Sequence, residues 1–163
     1  MRNKQKGFSL IELLIVVAII LIIAAIAIPN LMRAKMGANE ASAVGSIRAI
    51  NTAEITYSSA YPTAGFAATL ANLGGATPCT PSSTAACLID SGLAGGNKSG
   101  YNFTAIGAGG PPATSYFATA VPVTQNQTGI RSFCSFEDAT IRVDPTGAAV
   151  ASEAACQALQ PLP

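Results

Sequence analysis

The sequence predicts an α+β chain: a long N-terminal α-helix, its first half of membrane-spanning length, packed on a small antiparallel β-sheet head. Three observations carry that expectation. Leu13 to Ile28 is 16 residues without a polar side chain. An amphipathic stretch continues from Pro29 to Ala60 and meets a stop signal at Tyr61-Pro62. Beyond residue 100, short β-prone runs alternate with turn residues.

The apolar segment comes first. Counted from Phe8 to Ile28 it reaches 21 residues, about 32 Å as a helix, enough to cross a bilayer. Its large aliphatics contribute roughly −4 to −7 kcal/mol on insertion scales, against a few kcal/mol unfavourable for Glu12. Glu12 also lies only about 6 Å of helix rise beyond Phe8, near the headgroups. Arg2, Lys4 and Lys6 precede the segment, while Arg33 and Lys35 follow it, a small excess that favours an N-terminus-inside orientation. An ordinary secretory signal is the alternative, since Ala25-Ile26-Ala27 has the A-x-A form of a cleavage site. Against it, the apolar run is long, Glu12 sits near its start, and the helical pattern continues past the candidate cut.

Past Pro29 the chain reads NLMRAKMGANEASAVGSIRAINTAEITYSSAY. Val44, Ile47, Ile50 and Ile55 follow approximate helical spacing, with Arg48, Asn51 and Glu54 assigned to other faces. Pro29 lacks the N–H that would bond the Ala25 carbonyl, so a kink is expected there. Gly37 and Gly45 each cost about 1 kcal/mol relative to Ala. The helix should stop before Pro62, about 80 Å of rise from Phe8. Half of so long a helix packs on a small head, and the other half needs partners elsewhere.

The head opens with a Gly- and Pro-rich connection over residues 61–100, holding a short helical piece at Ala67 to Leu73. Strand-like runs follow at Tyr101 to Ile106, Tyr116 to Val123, Ile130 to Phe136 and Thr140 to Val143. Asp144-Pro145-Thr146-Gly147 is a turn signal that makes Ala148 to Val150 a candidate hairpin partner. The domain reading is therefore 1–7 as a basic leader, 8–28 as the apolar helix, 29–60 as its amphipathic continuation and 61–163 as the head.

Composition removes most chemistry. There is no His, which excludes Ser-His-Asp and Cys-His nucleophiles and His-ligated metals. The acids do not cluster as metal ligands do, and Glu137-Asp138 reads as a solvated turn. GAGGPP, Gly107 to Pro112, lacks the Lys-Ser/Thr and the helix of a phosphate cradle. Neither catalytic residues nor a cofactor or metal are expected, and a net charge of +1 argues against a nucleic-acid partner. Cys79, Cys87, Cys134 and Cys156 form no C-x-x-C pair. An even number beside a membrane segment reads as two disulfides in an oxidising compartment. Of the three connectivities, local closure favours Cys79–Cys87 and Cys134–Cys156.

Lys6-Gly7-Phe8-Ser9-Leu10-Ile11-Glu12, the aliphatic run and Pro29 together resemble the N-terminus of type IV pilins and their pseudopilin relatives. The match covers about the first 30 residues closely and the helix to about residue 60 by pattern. It implies cleavage after Gly7 by a prepilin peptidase that also methylates the new N-terminus at Phe8, with Glu12 and Pro29 as assembly positions. It further implies self-assembly into a filament, pilus or secretion machinery as partners, a bacterial inner-membrane location before assembly and a cell-surface pilus after it. Phe8 to Ile28 contains no glycine, unlike many members, so filament-induced unwinding of this helix is less expected. The rival within the family is a secretion pseudopilin. Two disulfides, and no acid cluster suited to a calcium-bound loop, lean towards the pilin. The rival of another class is a secreted or anchored binding domain made with an ordinary signal peptide.

Overall fold

The computed structural model describes residues 8–162; the leader, with Gly7, lies outside the described residues. The chain divides after Lys35 into two compact units. Helix α1, Leu10–Ala60, contributes to both and carries Pro29 within it. The unit up to Lys35 is helix with its apolar side chains open; the unit from Met36 holds the core.

In that second unit the elements after α1 are α2 (Leu70–Leu73), α3 (Ser91–Ala94), β1 (Asn97–Lys98), β2 (Tyr101–Ala108), β3 (Ser115–Pro122), β4 (Ser132–Phe136), β5 (Arg142–Asp144), α4 (Glu153–Gln157) and β6 (Gln160–Pro161). The six strands form one antiparallel sheet in chain order. Antiparallel neighbours joined by short turns need no crossover, which suits a chain this rich in Gly, Pro, Asn and Ser.

Strand alternation decides which side meets the helix. Tyr101, Phe103 and Ala105 of β2 are buried, while Asn102, Thr104 and Ile106 between them are exposed. On β3 the inward set is Tyr116, Ala118 and Ala120, with Ala105 opposite Ala118 and Phe103 opposite Ala120. These alanines make a shallow floor, and Ala43, Ile47, Ile50 and Ala53 of α1 share one core cluster with them.

All five residues of β4 are buried, because it is covered on both sides. Phe133 belongs to the helix-side core, whereas Cys134 and Phe136 join Cys156, Phe117, Val150 and Leu159 in a second cluster. The C-terminal segment therefore crosses the outer face of the sheet and returns as β6 beside β5.

Three local expectations are corrected. Ile55 is 52% exposed, while Asn51 and Glu54 lie on the buried face. Ile47 and Glu54 are seven residues apart, two helical turns, so they share a stripe that Ile55 leaves. Ala148 to Val150 forms no hairpin strand. The turn closes, with Gly147 donating its N–H to the Asp144 carbonyl, but Ser132 Oγ then holds the Ala148 carbonyl and the chain departs over the outer face. The short helical piece begins at Leu70 rather than Ala67, because the Ala67 amide is engaged by Glu54.

Two glycines are fixed by their surroundings. Gly65 has φ +76°, and a Cβ there would collide with the Ala113 backbone; a Cβ on Gly129 would collide with the Tyr101 hydroxyl.

Candidate assembly site

Ser9 stands immediately before α1 and Glu12 is its third helical residue. Ser9 N–H donates to Glu12 Oε2 at 2.9 Å, while the Glu12 and Leu13 amides reach the Ser9 carbonyl. This is the carboxylate half of an S-x-x-E capping box, in which the acid satisfies an amide that the first turn leaves without a partner. The pattern is visible in Ser9-Leu10-Ile11-Glu12 ahead of an apolar run, and it assigns Glu12 a local role that hydropathy alone does not. Phe8, 80% exposed, precedes the pair.

Behind Glu12 no large apolar side chain through Met32 is less than 46% exposed. Covering these fourteen side chains is worth on the order of 20 kcal/mol or more. That exceeds the net stability of an ordinary domain, about 5–15 kcal/mol. A segment with so much uncovered hydrocarbon is built for an apolar surrounding. The helix satisfies its own backbone bonds, as lipid or a dry protein core requires. Length and apolarity both fit a membrane anchor. Pro29 sits one residue beyond the aliphatic run and does not end the helix.

In the second unit α1 is held by polar groups on its buried face. Glu40 Oε1 accepts the amides of Ile130 and Arg131 at 2.9 and 3.1 Å. Its Oε2 accepts Arg131 Nε and pairs with the rest of that guanidinium at 2.8 Å. Burial pushes the Glu40 pKa up, but these two amides and the cation together hold it below the usual carboxylate range. One residue earlier on α1, Asn39 Nδ2 donates to the Thr128 carbonyl. The 123–131 connection between β3 and β4 is thereby fixed to the helix.

Asn51 is fully employed: its Nδ2 donates to Ser135 Oγ and the Ala139 carbonyl, and its Oδ1 accepts the Tyr116 hydroxyl. It joins α1 to β3, β4 and the turn after β4. Glu54 has no exposed surface. Its Oε2 accepts the Ala67 amide at 2.9 Å, and its Oε1 has no hydrogen-bond partner among the described residues. Burial pushes its pKa up to about 7, with the Ala67 amide pulling the other way. Tyr57, one turn on, donates its hydroxyl to the Ser83 carbonyl.

The structure joins Cys79 to Cys87 and Cys134 to Cys156, each pair with Cα atoms 6.0 Å apart. The first closes an exposed loop between α2 and α3. The second ties α4 onto β4, with both cysteines fully buried. Of the positions singled out from sequence, Phe8 and Glu12 lie at the same helix end, Pro29 lies at the far end of the apolar run, and the cysteines lie in the other unit. Among the described residues, no group of three or more Cys, Asp or Glu is arranged to hold a metal.

Residues 2–28 match the prokaryotic N-terminal methylation motif. Among curated proteins, the chain is 65% identical over 40 residues to the type IV wide pilus major component PilA4 of Thermus thermophilus, covering 24% of this chain and 30% of that protein. It is 45% identical over 54 residues to the type IV major pilin protein PilA of Myxococcus xanthus, covering 33% and 24%. It is 41% identical over 51 residues to the type II secretion system core protein G of Escherichia coli, covering 31% and 35%. The aligned stretches span about a third or less of each relative's length. No solved structure matches the chain. Its N-terminal segment thus carries the methylation motif, and parts of the chain are similar to two pilins and a secretion core protein.

Proposed function

Proceeding from that N-terminal segment, we propose that the chain is the structural, non-catalytic subunit of a type IV pilus filament. The observation that carries this reading is the uncovered apolar helix headed by Glu12, joined to a disulfide-stapled head. A prepilin peptidase cuts after Gly7 and methylates Phe8. Before assembly the helix anchors the chain in the bacterial inner membrane, N-terminus inside. On assembly the helices of many copies replace lipid with one another, and the heads form the surface of the fibre.

Glu12 then acquires a second role. Cleavage creates an α-amino group at Phe8, cationic when protonated. The carboxylate of a subunit already in the filament captures the amine of the incoming one and so sets the axial register. Once such a pair is buried, removing one partner costs about 3–5 kcal/mol. Glu12→Ala is expected to leave membrane insertion and cleavage intact while abolishing fibres. Normal fibres at normal subunit levels would refute the docking role. Intact-mass analysis is expected to find a chain beginning at Phe8 and one methyl group heavier; a chain beginning at Ile28 would refute the whole reading.

The likeness to the secretion core protein supports a second reading, a short pseudopilus that drives export. Deleting the gene separates the two. Loss of surface fibres with normal secretion favours the pilus, and the converse favours the pseudopilus.

A further inference from the structure

We propose that Glu54 is a proton-operated latch: as the neutral acid it holds the connection 61–68 against α1, and as the carboxylate it lets that connection go. The proposal is independent of the filament reading, because every group involved lies within the second unit.

The latch is a single hydrogen bond in a closed place. Glu54 is wholly buried; among the described residues the Ala67 amide is its one partner, and its other oxygen has none. The ionisable groups that face it are phenols: Tyr57 on α1 and Tyr116 on β3, both pushed up by burial and by the Glu54 charge. Glu137 and Asp138 lie beyond Tyr116 and add negative charge on that side. Cations are committed elsewhere: Arg131 to Glu40, Lys98 to Asp90 and Arg142 to Asp138. Arg48, on the same helix, points to solvent. Among the described residues a carboxylate here therefore has one amide and no counter-charge, and burial pushes its pKa up to about 7.

The connection is what yields when charge forms. It is bound at its start by Tyr61 N–H to the Tyr57 carbonyl, and in its middle by exchange with the β2–β3 turn: Phe66 N–H to Ala113, and Ala113 N–H to Ala64. The Phe66 ring rests against Tyr116, centroids 4.9 Å apart. Beside it lies a cleft of about 380 Å³ bounded by Tyr57, Ala64, Phe66, Gly107 and Pro111. Neither α1 nor the sheet need move for Ala67 to leave Glu54. Displacing Ala67 admits water to the carboxylate and widens this cleft, so release is local.

The sign follows from linkage. A carboxyl whose folded pKa lies above its unfolded value favours the closed form in acid and loses that preference as pH rises through the folded pKa. The test is amide hydrogen exchange on the full-length chain in detergent micelles between pH 5 and pH 9, corrected for intrinsic rates. Protection of Phe66, Ala67 and Ala113 is expected to fall by up to about tenfold per pH unit as pH rises from 5 towards neutrality and to level off above it, where closed and open forms are both ionised, while Ala118 in β3 holds. Glu54→Gln, which keeps an oxygen for Ala67 but does not titrate, should abolish the decline. Carbon-13 observation of the Glu54 carboxyl in the unaltered chain is expected to show a midpoint near neutral pH, and it decides the matter even where the variant fails to fold. A midpoint in the ordinary acidic range, pH-independent protection, or an undiminished decline in Glu54→Gln would each overturn the proposal.

Discussion

Replacing Cys134 and Cys156 with alanine tests how the head is held together. The bridge spans 22 residues and the Cys79–Cys87 bridge spans 8. Chain-entropy arithmetic gives about 3.4 kcal/mol for the longer loop and about 2.5 kcal/mol for the shorter. A head of this size unfolds with roughly 0.27 kcal/mol/K of entropy, so these become Tm losses of about 12 °C and 9 °C. Burial adds to the first figure alone. Cys134 and Cys156 are fully buried and tie Val150 and Leu159 over Phe136 and Phe117, whereas the residues around the shorter bridge are largely exposed. The near-ultraviolet dichroism of the buried tyrosines Tyr57, Tyr101 and Tyr116 reports the transition of the head without interference from the apolar helix. A second readout is local. No Lys or Arg follows Arg142, but a Glu-specific protease cuts after Glu153 in α4, and that cut should accelerate when the longer bridge is removed and not the shorter. Equal Tm losses, or unchanged cleavage after Glu153, would refute the view that this bridge secures the cover of the outer face.

Other outcomes follow from the inward stripe of α1. Ile47→Ala should cost about 2–5 kcal/mol and Ile55→Ala less than about 0.5 kcal/mol, by denaturant unfolding; comparable costs would mean the helix is wrongly phased. Asn51→Ala leaves the Tyr116 and Ser135 hydroxyls and the Ala139 carbonyl without their partner and should cost about 3 kcal/mol in the same assay. For Glu40, whose folded pKa is depressed, the stabilising contribution is present above the unfolded carboxylate pKa and is lost as pH falls through the folded one. The stability gap between the native chain and Glu40→Gln should therefore be widest at neutral pH and close below about pH 4; a gap constant down to pH 3 would rule this out.

The parts of the fold that are legible in the sequence are those with a long pattern or a hard stop. Helix α1 ends at Ala60 because Tyr61 precedes Pro62, β2 alternates from Tyr101 to Ile106, and β3 is a β-prone run of eight residues. The elements that escape are short: α3, α4, β1 and β6 have two to five residues, too few to show a period. The phase of α1 in the head fails for a different reason. Reading inward positions as apolar discards Glu40, Asn51 and Glu54, yet each is buried because partners elsewhere in the chain supply donors or acceptors, and those partners lie 13 to 91 residues away. Such pairings leave no local signature. The capping acid Glu12 is the opposite case, because its donor Ser9 is three residues away.

Three glutamates on one helix thus meet three fates, and the supply of donors decides each. Glu12 reaches back to a single amide at an open helix end, where the carboxylate stays accessible to a cation brought by another molecule. Glu40 has two amides and a guanidinium, enough to offset the loss of water, and its charge serves as a permanent tie between helix and sheet. Glu54 has one amide and no cation, so its charge is unstable where it sits. Neutralising substitutions should then act in three distinct ways. At position 40 the loss is stability, at position 54 it is pH response, and at position 12 it is assembly with the head unharmed. The last separation has a structural basis, since Glu12 belongs to the unit up to Lys35 and its hydrogen bond is to Ser9 of that same unit.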